Sequence, residues 1–125
     1  MIEDNPGDAR LIQEMLSEEK LAVNNIVHVD RLSKGINRLT NGNIDAVLLD
    51  LGLPDSQGLG TFEKMHAAAE TIPIIILTAY KDDTLALEAV RKGAQDYLIK
   101  GKIDGSTLVR SLTYSIERKK LEEKV

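Results

Sequence analysis

The stretch Ala46-Val47-Leu48-Leu49-Asp50 decides the fold, because it is a short apolar run that ends on a carboxylate. The same pattern recurs at Met1-Ile2 before Glu3-Asp4, at 74–77 before Thr78 and at 97–99 before Lys100. Apolar runs of this length are typical of strands that are buried on both faces of a parallel sheet. Ligands of open α/β sheets bind at the carboxyl ends of the strands. We therefore expect three carboxylates, a hydroxyl group and an ammonium group to converge on one crevice.

Helical patterns separate these strands. Asn5-Pro6 predicts a helix start, since Asn is a favoured N-cap and Pro is tolerated at the first helical position. Residues 23–29 are predicted to form a second strand, and Asp30 is expected to cap the helix after it. The remaining predicted elements are a strand at 44–49, a loop at 51–60, a helix at about 61–70, a helix capped by Asp82 or Asp83 that ends at Gly93, and a final helix striped by Leu108, Leu112 and Ile116.

Strand and helix alternate strictly along the chain, with no internal repeat and no low-complexity segment. This alternation predicts the α/β class, with a doubly wound parallel sheet that carries helices on both faces. The length of 125 residues fits one domain over 1–125.

Composition excludes several function classes. The net charge is −4, and three tyrosines and one phenylalanine are the only aromatic residues, so the chain lacks the basic footprint and the stacking surface of a nucleic-acid binder. There are no cysteines, which excludes disulfides and thiolate metal sites and is compatible with the cytoplasm. No apolar stretch approaches the roughly 20 residues that span a bilayer, so we expect no membrane partner.

The strand-end residues match the needs of phosphoryl transfer. A carboxylate such as Asp50 can act as a nucleophile that takes up a phosphoryl group. The reaction requires positioning and charge neutralisation, and Mg²⁺ bound to one or two carboxylates such as Glu3 and Asp4 can supply the latter. Lys100 could pair with the transferred group, and the Thr78 hydroxyl could donate to it.

Each of these residues also has a simpler interpretation. Asp50 could be a turn residue, and Glu3 with Asp4 could favour the start of the following helix electrostatically. Thr78 could serve only as a β-branched strand residue, and Lys100 only as a solvated strand end. A magnesium site is favoured because clustered carboxylates without a cation repel one another by roughly 1–4 kcal/mol per pair.

Four motifs, each at a strand end, resemble the receiver domains of two-component response regulators. The motifs are Glu3-Asp4-Asn5, the run from Leu49 to Pro54 with Gly58, Leu77-Thr78-Ala79, and the run from Asp96 to Lys100. The resemblance covers nearly the whole chain. It implies a flavodoxin-like fold with five parallel strands in the order 2-1-3-4-5.

The resemblance also implies roles for individual residues. Asp50 is the expected phosphoacceptor, which receives a phosphoryl group from a sensor histidine kinase or a phosphotransfer protein. Glu3 and Asp4 are the expected Mg²⁺ pair, with Asp4, Asp50 and the Gly52 carbonyl as direct ligands and Glu3 acting through water. Thr78, Ala79 and Lys100 are expected to contact the phosphoryl group, and Thr78 and Tyr97 to form the switch. The face made by helix 4, strand 5 and helix 5 is the expected surface for a downstream output partner or a homodimer.

The sequence departs from the family at Gly52, which has no side chain where many relatives carry one, at Gly101 and in the first strand. Gly101 follows Lys100 where relatives usually carry a proline with a cis peptide bond, so we expect a trans bond or an altered loop here. Only Met1 and Ile2 precede Glu3, so the central first strand is truncated. We interpret this as residues missing upstream, with a strand swap as the alternative. At the other end, residues 114–125 predict an extended helix, which either leads to a further domain or is a frayed, solvated helix end.

Two other functions remain open at this point. A degenerate receiver would act only as a protein-interaction module. An aspartyl-phosphate phosphatase is less favoured, because the haloacid-dehalogenase pattern places a second Asp where Gly52 stands. We expect a signalling domain and no enzyme beyond self-phosphorylation and self-dephosphorylation.

Overall fold

The structure, a computed structural model, describes residues 1–19 and 25–123. Its helices are α1 (Pro6–Glu18), α2 (Leu32–Leu39), α3 (Leu59–Ala68), α4 (Asp83–Arg91) and α5 (Gly105–Glu123). Its strands are β1 (Val47–Asp50), β2 (Gly52–Leu53), β3 (Ser56–Gln57), β4 (Ile74–Thr78) and β5 (Asp96–Ile99).

The central sheet is parallel. Strands β1, β4 and β5 are neighbours in that order, with Asp50 opposite Leu77 and Thr78 opposite Ile99. Because the three strands run in the same direction, their carboxyl ends lie at one edge of the sheet. That edge carries Asp50, Thr78 and Lys100.

Ile2 completes the sheet beyond β1. It bridges Leu49 on one side and Val29 on the other, both in parallel orientation. Its N–H donates to the Leu48 carbonyl at 2.8 Å, and the Asp50 N–H donates to the Ile2 carbonyl at 3.0 Å. Read from Val29 through Ile2 to β1, β4 and β5, the strand order is the predicted 2-1-3-4-5. The first strand is as short as the sequence indicates, since Ile2 is an isolated bridge and not part of a regular strand.

Alternating strand residues divide the core between the two faces of the sheet. On one face, Leu49, Ile74 and Ile76 pack with residues of α2, α3 and α4. On the other face, Leu48, Ile75 and Leu77 pack with residues of α1 and α5. This division follows from the period of two along a strand, and it confirms the doubly wound architecture.

The close approach of α2 to Ile2 depends on a glycine. A Cβ on Gly35 would overlap with the Ile2 side chain. The glycine lies inside a helix, where it is unfavourable by roughly 0.5–1 kcal/mol relative to alanine. The contact with Ile2 explains its presence.

The structure describes the second predicted strand only in part and corrects the Asp30 cap. Residues 20–24 lie outside the described part, and within 25–29 the Val27 carbonyl accepts from the Met1 amino group at 2.8 Å and Val29 bridges Ile2. Arg31, not Asp30, occupies the N-cap position of α2, and its side chain makes no capping bond. Instead, Asp55 accepts hydrogen bonds from the N–H groups of Leu32 and Ser33 at 2.8 and 2.9 Å. A residue distant in sequence therefore caps this helix.

Other predicted boundaries shift by a few residues. The predicted loop at 51–60 contains the short antiparallel pair β2–β3, and α3 begins at Leu59. Asp82 is the N-cap residue of α4 but makes no side-chain capping bond. The Asn5 cap is confirmed, since its side chain accepts from the Asp8 N–H at 3.0 Å.

Candidate functional site

Three carboxylates meet at the carboxyl edge of the sheet. Glu3 and Asp4 follow Ile2, and Asp50 ends the adjacent β1. One carboxylate oxygen from each lies within 4.8 Å of the other two, an arrangement that could hold a metal ion. Glu3 is fully buried, Asp50 is partly buried and Asp4 is exposed. The site therefore has an inner wall and a side open to solvent.

Lys100 places its ammonium group among these carboxylates. Its Nζ lies 2.6 Å from Glu3 Oε2 and 2.8 Å from Asp50 Oδ2. A third carboxylate, that of Asp8 on α1, lies 3.3 Å away. Lys100 is only 18% exposed, so these ion pairs are largely shielded from solvent. The structure thus joins the predicted lysine to the predicted acidic cluster.

Burial governs the charge of Glu3. Burial, as the largest cause, and the hydrogen bond to Asp50 together raise the pKa of this carboxyl to about 7, although Lys100 acts in the opposite direction. The Asn5 N–H also donates to Glu3 Oε1 at 3.1 Å. Glu3 is therefore poised between its protonated and ionised forms near neutral pH.

The carboxylates keep Lys100 charged. Burial by itself would lower the pKa of its ammonium group, but the hydrogen bonds to Asp50 and Glu3 outweigh burial and raise the pKa above its ordinary value. The site consequently holds a permanent cation next to Asp50.

Both oxygens of Asp50 are engaged in the resting structure. The Gly52 N–H donates to Oδ1 at 2.9 Å, and Lys100 donates to Oδ2 at 2.8 Å. A Cβ on Gly52 would lie 3.8 Å from Asp50 Oδ1, so a side chain at this position would sit directly beside the carboxylate. Its absence keeps this approach to Asp50 open.

The predicted hydroxyl and switch residues are not joined to the acidic cluster. Thr78 is 4% exposed, and its hydroxyl donates to the Ala79 carbonyl at 3.1 Å. Tyr97, in turn, packs partly buried against the core that faces α2, α3 and α4. Ile76 lies opposite Tyr97 in the sheet, and Thr78 follows two residues later on the same face. Thr78 and Tyr97 are therefore close in the sheet without sharing a bond to Asp50 in the described contacts.

The peptide bond after Lys100 has the trans geometry that the sequence predicts. No cis peptide bond occurs among the described residues, so Lys100–Gly101 is trans, and Gly101 has φ +84°. A positive φ of this size favours glycine. The Lys100 N–H still donates to the Thr78 carbonyl at 2.8 Å, so the backbone remains in register up to the lysine.

Sequence reasoning missed the contact of Asp8 with Lys100. Asp8 was interpretable only as a first-turn carboxylate that suits the helix dipole. The available signal is topological, because α1 starts just after Glu3-Asp4 and its first turn must lie at the carboxyl edge of the sheet.

Comparison with known proteins shows the family of this chain. The family model for the response regulator receiver domain matches residues 1–113. The chain therefore belongs to the response regulator receiver domain family. It is a signalling domain of two-component systems, with the flavodoxin-like α/β fold.

Several curated relatives are longer than this chain. The chain is 37% identical over 100 residues to the regulatory protein LuxO of Vibrio vulnificus, which covers 80% of the chain and 21% of LuxO. It is 36% identical over 100 residues to the swarming motility regulation protein RssB of Serratia marcescens, covering 80% of the chain and 44% of RssB. The chain thus spans less than half the length of either relative.

Solved receiver domains share the fold. The signal receiver domain of a putative LuxO repressor protein from Vibrio parahaemolyticus matches with a TM-score of 0.79 and 27% identity, covering 98% of this chain and 91% of that one. A receiver domain from Bacteroides fragilis gives a TM-score of 0.80 at 23% identity, covering 92% of each chain. Among the described residues, no helix is both long and apolar enough to cross a membrane.

Proposed function

We propose that this chain is a phosphoacceptor domain that takes a phosphoryl group onto Asp50 from a phosphohistidine of a sensor kinase or a phosphotransfer protein. The observation that carries the proposal is the position of Asp50. Its carboxylate is hydrogen-bonded to Lys100 at 2.8 Å and lies within 4.8 Å of ligand atoms on Glu3 and Asp4. The cation and the other candidate metal ligands are therefore assembled around the Asp50 carboxylate.

The donor set fits Mg²⁺. Glu3, Asp4 and Asp50 provide hard carboxylate oxygens, and we assign the Gly52 carbonyl as a backbone ligand. Bound Mg²⁺ would neutralise charge on the transferred group. The three carboxylates and the Lys100 ammonium group together carry a net charge of about −2 when Glu3 is ionised. A divalent cation balances this charge.

The transfer step follows from the residues around Asp50. An Asp50 carboxylate oxygen forms the new O–P bond, the P–N bond to the donor imidazole breaks, and the imidazole keeps the electron pair of that bond. Lys100 then moves from the Asp50 carboxylate to a phosphoryl oxygen, and the Thr78 hydroxyl exchanges the Ala79 carbonyl for another phosphoryl oxygen. Ala79, with its small side chain, leaves the phosphoryl group accessible.

The movement of Thr78 provides a switch. It vacates space on the face that Thr78 shares with Tyr97, so Tyr97 turns inward and alters the surface formed by α4, β5 and α5. A shift from 1:99 to 99:1 between two conformations requires about 5.5 kcal/mol. Two or three charge-assisted hydrogen bonds to the phosphoryl group supply an energy of that order.

The altered surface determines the proposed partners. We assign the α4–β5–α5 face to a downstream output domain or protein, or to a second copy of the chain.

Because LuxO and RssB are much longer than this chain, we also propose that residues 114–125 lead toward a further domain. We propose a cytoplasmic location and no binding of nucleic acid by this chain, in keeping with its net charge of −4.

Intact-protein mass spectrometry after treatment with acetyl phosphate tests the proposal. We expect one base-labile phosphoryl group per chain, formed only with Mg²⁺ and absent in Asp50→Asn. The exposed Asp45, two residues before β1, provides the matched control, and Asp45→Asn should be phosphorylated like the unaltered chain. Phosphorylation of Asp50→Asn at the unaltered level would disprove the assignment.

The same experiment separates the two alternative functions. Continuous release of many phosphates per chain would indicate a phosphatase. Absence of any adduct with Mg²⁺ present would indicate a degenerate receiver that acts only through protein contacts.

A further inference from the structure

The Lys100 ammonium has three carboxylate partners, and one of them lies outside the candidate metal cluster. Glu3 and Asp50 belong to that cluster, whereas Asp8 does not. Asp8 comes from the first turn of α1 and reaches Lys100 Nζ at 3.3 Å across a separation of 92 residues in sequence. Each of the three ammonium protons therefore has a carboxylate acceptor available.

The Asp8 carboxylate is free to reach Lys100 because another residue takes its usual local role. Asp8 is the third residue of α1, the position from which an acidic side chain commonly accepts a hydrogen bond from the N-cap N–H. Here the N–H of the N-cap residue, Asn5, donates to Glu3 Oε1 at 3.1 Å instead. The Asp8 N–H, meanwhile, is fixed by the Asn5 side chain at 3.0 Å. The backbone is held, and the carboxylate points across to Lys100.

The hydrogen bonds around Lys100 other than those to carboxylates hold its backbone and not its ammonium group, since the Lys102 N–H donates to the Ile99 carbonyl at 3.1 Å. Gly101 is exposed and has φ +84°, and residues 100–102 form a turn before α5 begins at Gly105. The other two partners of Lys100 change their engagement in the proposed reaction, because Glu3 and Asp50 are the residues that would face Mg²⁺ and the phosphoryl group.

We propose that Asp8 is a positioning residue, which keeps the Lys100 ammonium beside Asp50 while Glu3 and Asp50 engage Mg²⁺ and the phosphoryl group. This inference rests on the proposed function and adds a residue to it. Asp8 is 41% exposed, so its contribution in the resting protein is that of a partly solvated ion pair. Its main effect comes when Lys100 leaves the Asp50 carboxylate for the phosphoryl oxygens.

The direction of the effect distinguishes positioning from simple charge. If Asp8 contributed only negative charge, removing that charge would favour approach of an anionic phosphodonor, and Asp8→Asn would be phosphorylated faster. A positioning role predicts instead that Asp8→Asn is phosphorylated more slowly. We expect Asp8→Asn to be phosphorylated by acetyl phosphate about fivefold more slowly at saturating Mg²⁺. Asp8→Glu retains a carboxylate and should recover most of the rate.

Asp83 provides a matched control, since it is also an acidic first-turn residue, in α4. Asp83→Asn removes the same charge from a helix start without touching Lys100, and should leave the rate unchanged.

A second readout needs no phosphoryl transfer. In Mg²⁺-free protein, the NMR signals of the Lys100 ammonium group should broaden in Asp8→Asn through faster proton exchange, and should be restored in Asp8→Glu.

The outcomes separate this inference from the function on which it rests. An unchanged or faster rate in Asp8→Asn, with unaltered Lys100 signals, would overturn the role of Asp8 and leave the phosphoacceptor assignment standing. Equal losses in Asp8→Asn and Asp8→Glu would also overturn it. If the unaltered chain itself acquires no phosphoryl group on Asp50, the proposed function fails, and the role of Asp8 fails with it.

Discussion

The two halves of the site differ in how far they are assembled. On the side of Ile2 and α1, Lys100 already contacts Glu3, Asp8 and Asp50 at 2.6–3.3 Å. On the side of β4, the buried Thr78 hydroxyl donates to the Ala79 carbonyl and makes no bond to Asp50 in the described contacts. The acidic half is thus organised before any reaction, whereas the hydroxyl half must change its hydrogen bond. Under the proposed function, the acidic half would bind Mg²⁺ and the phosphoryl group, and the hydroxyl half would provide the conformational response.

Removing Lys100 should break the acidic half and produce the largest effect. Lys100→Met leaves the buried Glu3 without a cation, and loss of one partner of a buried ion pair costs about 3–5 kcal/mol. We expect the free energy of unfolding, measured with urea at pH 8, to fall by this amount. At pH 5 the loss should be smaller, because Glu3 is then protonated. Lys34→Met serves as control, since the pair of Lys34 with Asp30 is exposed and solvent screens it. Equal losses for both variants would contradict the assembled state of this half.

Removing the Thr78 hydroxyl should spare the resting structure and weaken the response. Thr78→Val loses one neutral hydrogen bond, so the free energy of unfolding should fall by no more than about 1.5 kcal/mol. In the phosphorylated state the same hydroxyl would meet a charged acceptor, and its loss should reduce the activated population about tenfold. The Tyr97 ring signals in NMR spectra report this population with beryllofluoride as phosphoryl mimic. Thr78→Ser should behave like the unaltered chain. A full Tyr97 response in Thr78→Val would contradict the role of the Thr78 hydroxyl in the conformational change.

If the acidic cluster binds Mg²⁺ as proposed, the raised pKa of Glu3 should make the Mg²⁺ affinity depend on pH. Since burial and the hydrogen bond to Asp50 raise the pKa of Glu3 to about 7, the carboxyl group must lose its proton before it can interact favourably with a cation. We expect Mg²⁺ affinity, measured by isothermal titration calorimetry, to fall about tenfold per pH unit below 7. Glu3→Gln should flatten this dependence, and a flat profile in the unaltered chain would contradict it.

Glu3 should affect folding stability with the opposite sign. Its pKa is higher in the folded chain than the ordinary 4.5, so the folded state binds the proton more tightly. The contribution of Glu3 to stability is therefore complete below about pH 4.5 and is lost as the pH rises through about 7.

The smallest predicted effect concerns the loop that follows Asp50. Asp55 caps α2, so Asp55→Ala should lower the free energy of unfolding by about 1 kcal/mol. The hydrogen bonds from Ser33 and Leu32 hold the pKa of Asp55 below its usual value, so this stabilisation is lost as the pH falls through that lowered pKa. Asp45→Ala, at an exposed position outside the strands, should have no measurable effect. If the two variants unfold alike, the cap contributes nothing.

Local sequence pattern predicted much of the fold. The alternation of strands and helices, the Asn5 cap and the convergence of Glu3, Asp4 and Asp50 all follow from apolar runs whose ends share one edge. The Asp30 cap failed because the helix found an acceptor in Asp55, 22 residues or more away in sequence. Cap propensity describes neighbours along the chain and contains no information about such a partner.

The sequence by itself determined which groups meet at the carboxyl edge, because the direction of parallel strands fixes where their last residues lie. Tertiary structure alone decided how those groups interact. Whether Lys100 pairs with Asp8, whether Thr78 bonds to Ala79 or to the site, and how far burial shifts the pKa of Glu3 all depend on distances between segments far apart in sequence. Those distances are set by the packing of α1 and the sheet, and no local pattern encodes them.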